Sequence, residues 1–358
     1  MVVVHIVESF AGGTFDFLSN LINGLPKSYK HIIIYGVRRE TPLDYKKYFP
    51  QNTEFVFWEN AKREISIVDD LKAFNTLLSE IRKIKQIDII HCHSSKAGFL
   101  GRLVAKSIGK EDKTIYTPHG VAFLRKDVSD FKKNFYKICE KLVSGFCNKI
   151  ICCSDGEREA FSDAGIKNLK TIFNGVKVVD SSSSYQEKQC FTIATMGRIT
   201  LQKNPELFNA IASRYLDYAN IRFMWIGDGE EKSSLQSPNI QITGWLTSQL
   251  AEKELMKADV YLSTSAWEGL PLAVLTAMSM TKPLVLSQCS GNNDISSGRD
   301  ILTFNTADEA IEKLNLLMND ELFREEYGRY VQKVFQDNFT VEIMNSKYKE
   351  LYQELVKV

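Results

Sequence analysis

No stretch of the 358-residue chain approaches the ~18 consecutive apolar residues that a membrane-spanning helix needs, so no transmembrane segment is expected. The N-terminus, Met1-Val2-Val3-Val4-His5-Ile6-Val7, lacks a basic leader and a small-residue cleavage site, and reads as a first buried strand rather than a signal peptide. Among the seven cysteines there is no C-x-x-C pair and no metal-type Cys/His spacing. Their odd number, with Cys152 and Cys153 adjacent, fits reduced, buried thiols in a cytoplasmic protein. Asp-x-Asp, which would hold a divalent cation on a diphosphate, is absent. So is the Gly-x-Gly-x-x-Gly of dinucleotide dehydrogenases, which are thereby disfavoured.

What is present is the composition of a globular protein, 44% hydrophobic and 25% charged, long enough for two domains. The net charge of +1 conceals an asymmetry. Residues 1–180 carry 28 Lys and Arg against 21 Asp and Glu, and the remainder carries 17 against 23. The overall balance argues against a nucleic-acid partner. A basic first half suits an anionic membrane surface or a phosphate-bearing acceptor.

Short Val-, Ile- and aromatic-rich runs at 2–7, 31–35, 54–57, 88–91, 114–117 and 149–153 read as strands. Stretch 66–85 repeats Ile67, Leu71, Phe74, Leu78 and Ile81 at a helical period. Near-continuously apolar strands alternating with helices predict a parallel sheet covered on both faces. The serine-rich run 180–189 breaks this pattern. It restarts with strands at 191–196, 221–226, 240–243, 259–263 and 284–287, then helices at 308–319, 321–336 and 340–358. The expected fold is α/β: a Rossmann-like doubly wound domain over 1–180, a linker at 181–189, a second such domain over 190–339, and a terminal helix over 340–358. Such sheets bind ligands beyond the carboxyl ends of their strands, here in a cleft that the two domains face.

Three motifs sit at strand ends. Glu8-Ser9-Phe10-Ala11-Gly12-Gly13-Thr14 follows the first strand, and its glycines let a phosphate approach the backbone at the start of a helix. Met196-Gly197-Arg198 leads to Lys203, Asn204 and Pro205, two cations able to clamp a pyrophosphate. Trp267-Glu268-Gly269-Leu270-Pro271-Leu272 joins a strand to a helix whose N-terminus offers unpaired N–H groups to an anion. Each alone reads equally as a tight turn, a pair of solvated cations, or a carboxylate complementing a helix dipole.

Together, and in order, these motifs resemble glycosyltransferase family 4, retaining enzymes of the GT-B fold. The resemblance also takes in His91-Cys-His-Ser-Ser-Lys96-Ala-Gly98, Tyr116-Thr-Pro-His119-Gly120, Phe173-Asn174-Gly175-Val176, Ile226-Gly227-Asp228-Gly229 and Thr243-Gly244-Trp245-Leu246. It implies hexosyl-type transfer from a nucleoside-diphosphate sugar to a saccharide, without a metal cofactor. The terminal helix would pack back on the first domain. Arg198 and Lys203 would hold the diphosphate, and Gly12 and Gly13 would let the first domain close over it. Glu268, with Gly269, Leu270, Pro271 and Leu272, would contact the donor sugar, and His119 would sit beside the reacting centre. Asn174, Gly197 and Trp245 complete the implied donor set. Where the family carries a second glutamate for the ribose, this chain has Thr276, which cannot be a charged bidentate acceptor. A GT-B enzyme of another reaction, such as an epimerase, or a non-catalytic partner subunit are the alternatives.

Two further features stand apart. His91-x-His93 suggests a metal site, but the two rings are expected on opposite faces of their strand, and no metal is expected. Stretch 131–146 mixes Phe131, Phe135, Ile138, Leu142 and Phe146 with Lys132, Lys133, Lys137 and Lys141. It reads as a surface helix or as a contact with an anionic membrane. Lys96, Lys132, Lys133 and Lys137 mark the expected acceptor or membrane side, for a lipid-linked acceptor at the inner face of the plasma membrane.

Overall fold

The computed structural model describes residues 1–62, 66–179 and 190–357. The chain divides into two compact units, Met1–Gly175 with Val341–Val358, and Val176–Thr340. The division thus falls at Gly175, ahead of the serine-rich run, and the 181–189 linker itself lies outside the described residues.

In the first unit the order is β1 (Val2–Val7), α1 (Gly12–Gly24), β2 (Lys30–Tyr35), β3 (Glu54–Phe57), α2 (Ile67–Lys83), β4 (Ile89–His93) and α3 (Ser95–Ser107). It continues with β5 (Thr114–Thr117), α4 (Asp130–Val143), β6 (Lys149–Cys152), α5 (Asp155–Asp163) and β7 (Leu169–Thr171). The second unit has β8 (Phe191–Met196), α6 (Pro205–Ser213), β9 (Ile221–Ile226), β10 (Ile240–Ile242), α7 (Ser248–Met256) and β11 (Val260–Ser263). There follow α8 (Leu272–Ser279), β12 (Leu284–Ser287), α9 (Ser290–Ser296), β13 (Leu302–Phe304), α10 (Ala307–Asn319) and α11 (Glu321–Asn338). The last helix, α12 (Val341–Lys357), returns to the first unit and packs on α1.

The sheet orders are β3-β2-β1-β4-β5-β6-β7 and β10-β9-β8-β11-β12-β13, with parallel pairing throughout. Both are doubly wound, and the order reverses between β1 and β4 in one and between β8 and β11 in the other. Period-two alternation sorts the first sheet's side chains. Val3 and Val7 join the core under α1 and α12, while Val4 and Ile6 join the opposite core with Leu77 of α2 and Val104 of α3. Burying each such side chain stabilises the fold by roughly 1.5–3 kcal/mol.

Candidate functional site

In the second unit the loops leaving β8 and β11 meet at the switch point, where the Ala266 N–H donates to Gln202 O at 2.8 Å. The 197–199 segment lies backbone to backbone on 227–229. A Cβ on Gly227 would stand 2.2 Å from Gly197 O, so only glycine fits the Ile226-Gly-Asp-Gly turn. Lys203 Nζ donates to Glu268 Oε1 at 2.7 Å, and Gln202 Nε2 to Glu268 Oε2 at 3.2 Å. This ion pair is largely buried, with side-chain exposures of 19% and 7%. Burial alone would lower the lysine's pKa, but the Glu268 carboxylate and Tyr261 outweigh it and raise it, so the ammonium stays charged. Arg198 forms a two-pronged ion pair with Glu230, its Nε donating at 3.1 Å, in a more exposed position.

The Glu268 turn is fastened from behind: Ser290 Oγ donates to Glu268 O at 2.6 Å. Pro271 is the N-cap of α8 rather than its first residue, and no side chain caps that helix and no acidic residue lies in its first turn. Its N-terminal dipole is therefore uncompensated by the helix's own side chains. Thr276 is buried in α8 and its hydroxyl donates to Leu272 O at 2.9 Å. Asn204, in the left-handed region at φ 51°, caps α6 ahead of Pro205 and orients the Lys203 turn.

In the first unit, Glu8 and the N-terminus of α3 meet across the β1/β4 switch point. The Ala97 N–H donates to a Glu8 carboxylate oxygen at 3.3 Å. Desolvation raises the Glu8 pKa against that hydrogen bond and the nearby cations Arg38 and Lys96. Gly12 opens α1 at φ +53°, with nothing within 4 Å of a would-be Cβ, so backbone conformation and not space calls for glycine. His119, beyond β5, holds φ 54°, a conformation that non-glycine residues adopt rarely and that clusters at functional sites.

His91 and His93 correct the sequence reading. They lie on the same face of β4, as residues two apart in a strand must, with ring centroids 3.9 Å apart. All five histidines of the chain gather on the α1/α12 side of the first sheet. His5 lies 3.1 Å from His31 and 3.1 Å from His93, and His93 lies 3.1 Å from His119. His91 bonds the Tyr352 hydroxyl at 2.7 Å and the Thr117 hydroxyl at 2.8 Å. Although one ring nitrogen each from His5, His91 and His93 lies within 4.8 Å of the others, hydrogen bonds already engage those rings. Desolvation lowers the pKa of each: well below the ordinary value for His5, His91 and His93, to about 4 for His31 and about 3 for His119. The cluster is neutral.

Other expected residues are scattered. Asn174 is buried in the first unit, and Trp245 is half-exposed on the second. Lys96 is not a free surface cation, since it donates to Asp70 at 2.6 Å with 12% of its side chain exposed. Lys132 and Lys137 of α4 are exposed, and Lys133 pairs with Asp130. The same helix shows solvent Phe131, Phe135, Ile138 and Leu142, one stripe at helical spacing. Its inward side instead buries Glu140, which accepts from Arg102 at 2.6 Å and from the Tyr116 hydroxyl at 3.0 Å. Its polarity is thus inverted along that stripe.

Two doubly wound parallel sheets, one with cations at its switch point, are the architecture that a GT-B glycosyltransferase requires. Residues 11–179 match the family model Glycosyltransferase Family 4 and residues 190–320 match Glycosyl transferases group 1, so the chain is a glycosyltransferase that carries both domains. It is 27% identical over 342 residues, 86% of each chain, to the UDP-Gal:alpha-D-GlcNAc-diphosphoundecaprenol alpha-1,3-galactosyltransferase of Escherichia coli. To the capsular polysaccharide biosynthesis glycosyltransferase CapM of Staphylococcus aureus it is 24% identical, over 83% of this chain and 84% of that one. In fold it matches Anabaena HepE, solved with UDP and glucose, at a TM-score of 0.79 and 14% identity, covering 99% of this chain and 100% of that one. It matches sucrose-phosphate synthase of Thermosynechococcus elongatus at 0.82 and 13%, covering 100% and 99%. No helix among the described residues is long and apolar enough to cross a membrane.

Proposed function

We propose that this glycosyltransferase moves a sugar, with retention of configuration, from a nucleoside-diphosphate donor to a lipid-linked saccharide in bacterial surface-polysaccharide assembly. The gathering of Arg198, Lys203 and the α8 N-terminus at one switch point carries this reading. Charge develops on the departing diphosphate, and two cations plus a helix dipole are the groups that stabilise it. They supply the countercharge without a metal. Glu268, its carboxylate set by Lys203 and Gln202, accepts hydrogen bonds from the donor sugar. His119 is assigned a polar contact to a sugar. No nucleophilic side chain is assigned, so the acceptor hydroxyl attacks on the leaving-group face and its proton passes to the departing phosphate. The Escherichia coli relative named for a UDP-sugar donor and a diphosphoundecaprenol acceptor supports this substrate pair. Nucleoside-diphosphate release from a panel of nucleotide sugars, with and without diphosphoundecaprenyl-linked sugar, tests it. Release that is acceptor-dependent and persists in a chelator is expected; release indifferent to the acceptor would contradict it.

The acceptor is met at a membrane surface on the cytoplasmic side, through α4. Its apolar stripe enters the headgroup region while Lys132, Lys133 and Lys137 contact anionic lipid, each adding up to ~1 kcal/mol. Co-sedimentation with anionic but not neutral vesicles is expected. Replacing the three lysines by Glu, or Phe131 and Leu142 by Ser, should abolish it, and high salt should weaken it. Protein remaining in the supernatant at low salt would refute the docking.

A further inference from the structure

The five histidines are more than a buried polar patch, because their contacts have a direction. A neutral imidazole carries one N–H, so each ring in a chain of N···N contacts accepts at one nitrogen and donates at the other. Three such contacts run in series: His31 Nδ1 to His5 Nε2, His5 Nδ1 to His93 Nε2, and His93 Nδ1 to His119 Nε2, each 3.1 Å. Only two arrangements satisfy all three at once, with every proton pointing toward His119 or every proton pointing toward His31.

The inner end selects between them. His31 Nε2 is buried and has no hydrogen-bond partner among the described residues. Were the protons to point toward His31, that nitrogen would carry an orphaned buried N–H, the more heavily penalised kind of unsatisfied group. With the protons pointing the other way it holds only a lone pair. We propose that His31, His5 and His93 are positioning residues that lock His119 as the Nδ1–H tautomer, making it a neutral hydrogen-bond donor rather than a base. The outer nitrogen of His119 is not bonded to any described group and is left for a ligand oxygen.

His91 stands beside the relay with the opposite setting. The Tyr352 hydroxyl has His91 Nδ1 as its partner and donates to it, so the His91 proton sits on Nε2 and is donated to the Thr117 hydroxyl. Strand register explains why the relay can exist. His5 pairs with His91 and Val7 with His93 across β1 and β4, which places the odd-numbered rings in one layer above the sheet. Tyr348 and Tyr352 of α12 close that layer, with the Tyr348 hydroxyl 3.3 Å from that of Thr117.

The use of His119 as a donor to the sugar rests on the transfer reading above, but its tautomer can be measured without any substrate. Long-range proton–nitrogen NMR correlations on ¹⁵N-histidine-labelled protein at pH 7 distinguish the two neutral tautomers and the imidazolium. The expected spectrum has His31, His5, His93 and His119 all protonated on Nδ1, the less common form of free imidazole, and His91 on Nε2. His119 protonated on Nε2, or as an imidazolium, would overturn the proposal with no substitution involved. His93→Asn, whose amide can donate from near the Nδ1 position, should keep His119 on Nδ1. His93→Leu should release it to a mixture of tautomers. In transfer assays His93→Leu should lose about tenfold in kcat/KM, the loss of one well-aligned hydrogen bond, and His93→Asn should recover most of it. Equal losses in both variants with the His119 tautomer unmoved would reduce His93 to a packing residue. The predicted spectrum in a protein without transfer would leave the relay standing and remove the transfer reading alone.

Discussion

The two sheets of this molecule share one topology, yet charged pairs gather beyond one and a layer of imidazoles lies on a face of the other. Beyond β8 and β11 lie full charges held in pairs, Lys203 with Glu268 and Arg198 with Glu230. On the α1/α12 face of the first sheet, leading to the loop beyond β5, lie imidazoles that burial keeps neutral, and the second unit contains no histidine at all. A phosphate that leaves as an anion needs fixed positive charge. A sugar hydroxyl needs oriented donors and acceptors, and a charge there would have to be desolvated for little gain.

The comparison breaks most visibly at the cations. Arg198→Ala and Lys203→Ala should each slow transfer by roughly a hundredfold, the effect of removing one charge-assisted contact to a developing anion. Their effects on stability should differ. Lys203→Ala leaves the buried Glu268 carboxylate without its main partner, costing about 3 kcal/mol in the second unit. The exposed Arg198–Glu230 pair should cost under about 1 kcal/mol. Thermal melts beside rates check both, and wild-type turnover in a folded double mutant would remove these residues from the site.

Acid should separate the units next. Each imidazole has its pKa lowered in the folded state, so the unfolded chain binds more protons below the ordinary value of 6.5. The first unit should therefore keep its stability above that pH and lose it as the pH falls toward about 4, where His31 titrates. The loss can reach about 1.4 kcal/mol per pH unit for each imidazole. Protection from hydrogen exchange in β1 and β4, corrected for intrinsic rates and compared with β8 and β11, should weaken first in the first unit below pH 6.5. Parallel weakening in both units would contradict the assignment.

The smallest expected effect is at Thr276. Thr276→Glu should tighten nucleotide-sugar binding by roughly fivefold if the carboxylate reaches the ribose hydroxyls. Calorimetry showing unchanged binding would mean that the α8 start has been rebuilt around the threonine, whose hydroxyl is already turned back onto Leu272.

Both sheets were legible in the sequence because their strands are near-continuously apolar, as parallel strands buried on two faces must be. The short strands Leu169–Thr171 and Leu302–Phe304 were not, whereas Ile240–Ile242, equally short, was read as 240–243. Arg198, Lys203 and Glu268 could be singled out since each follows a strand end, whereas Glu230 as the partner of Arg198 could not. The histidine layer was partly within reach: counting by twos along β4 places His91 and His93 together, and His5 and His31 stand in predicted buried strands. Their meeting depends on the order β2-β1-β4, which no local pattern encodes. The inverted face of α4 was equally hidden, because the Glu140 partner Arg102 comes from another helix.

The division of labour between the charged pairs and the imidazole layer is tested most directly by calorimetric titration of nucleoside diphosphate, UDP and GDP in turn, into three proteins. These are the wild type, Arg198→Ala and His119→Asn. The account predicts that Arg198→Ala weakens binding by about tenfold while His119→Asn leaves it unchanged, since the diphosphate answers to charge and not to the imidazole relay. Binding that is insensitive to Arg198, or weakened as much by His119→Asn, would contradict it.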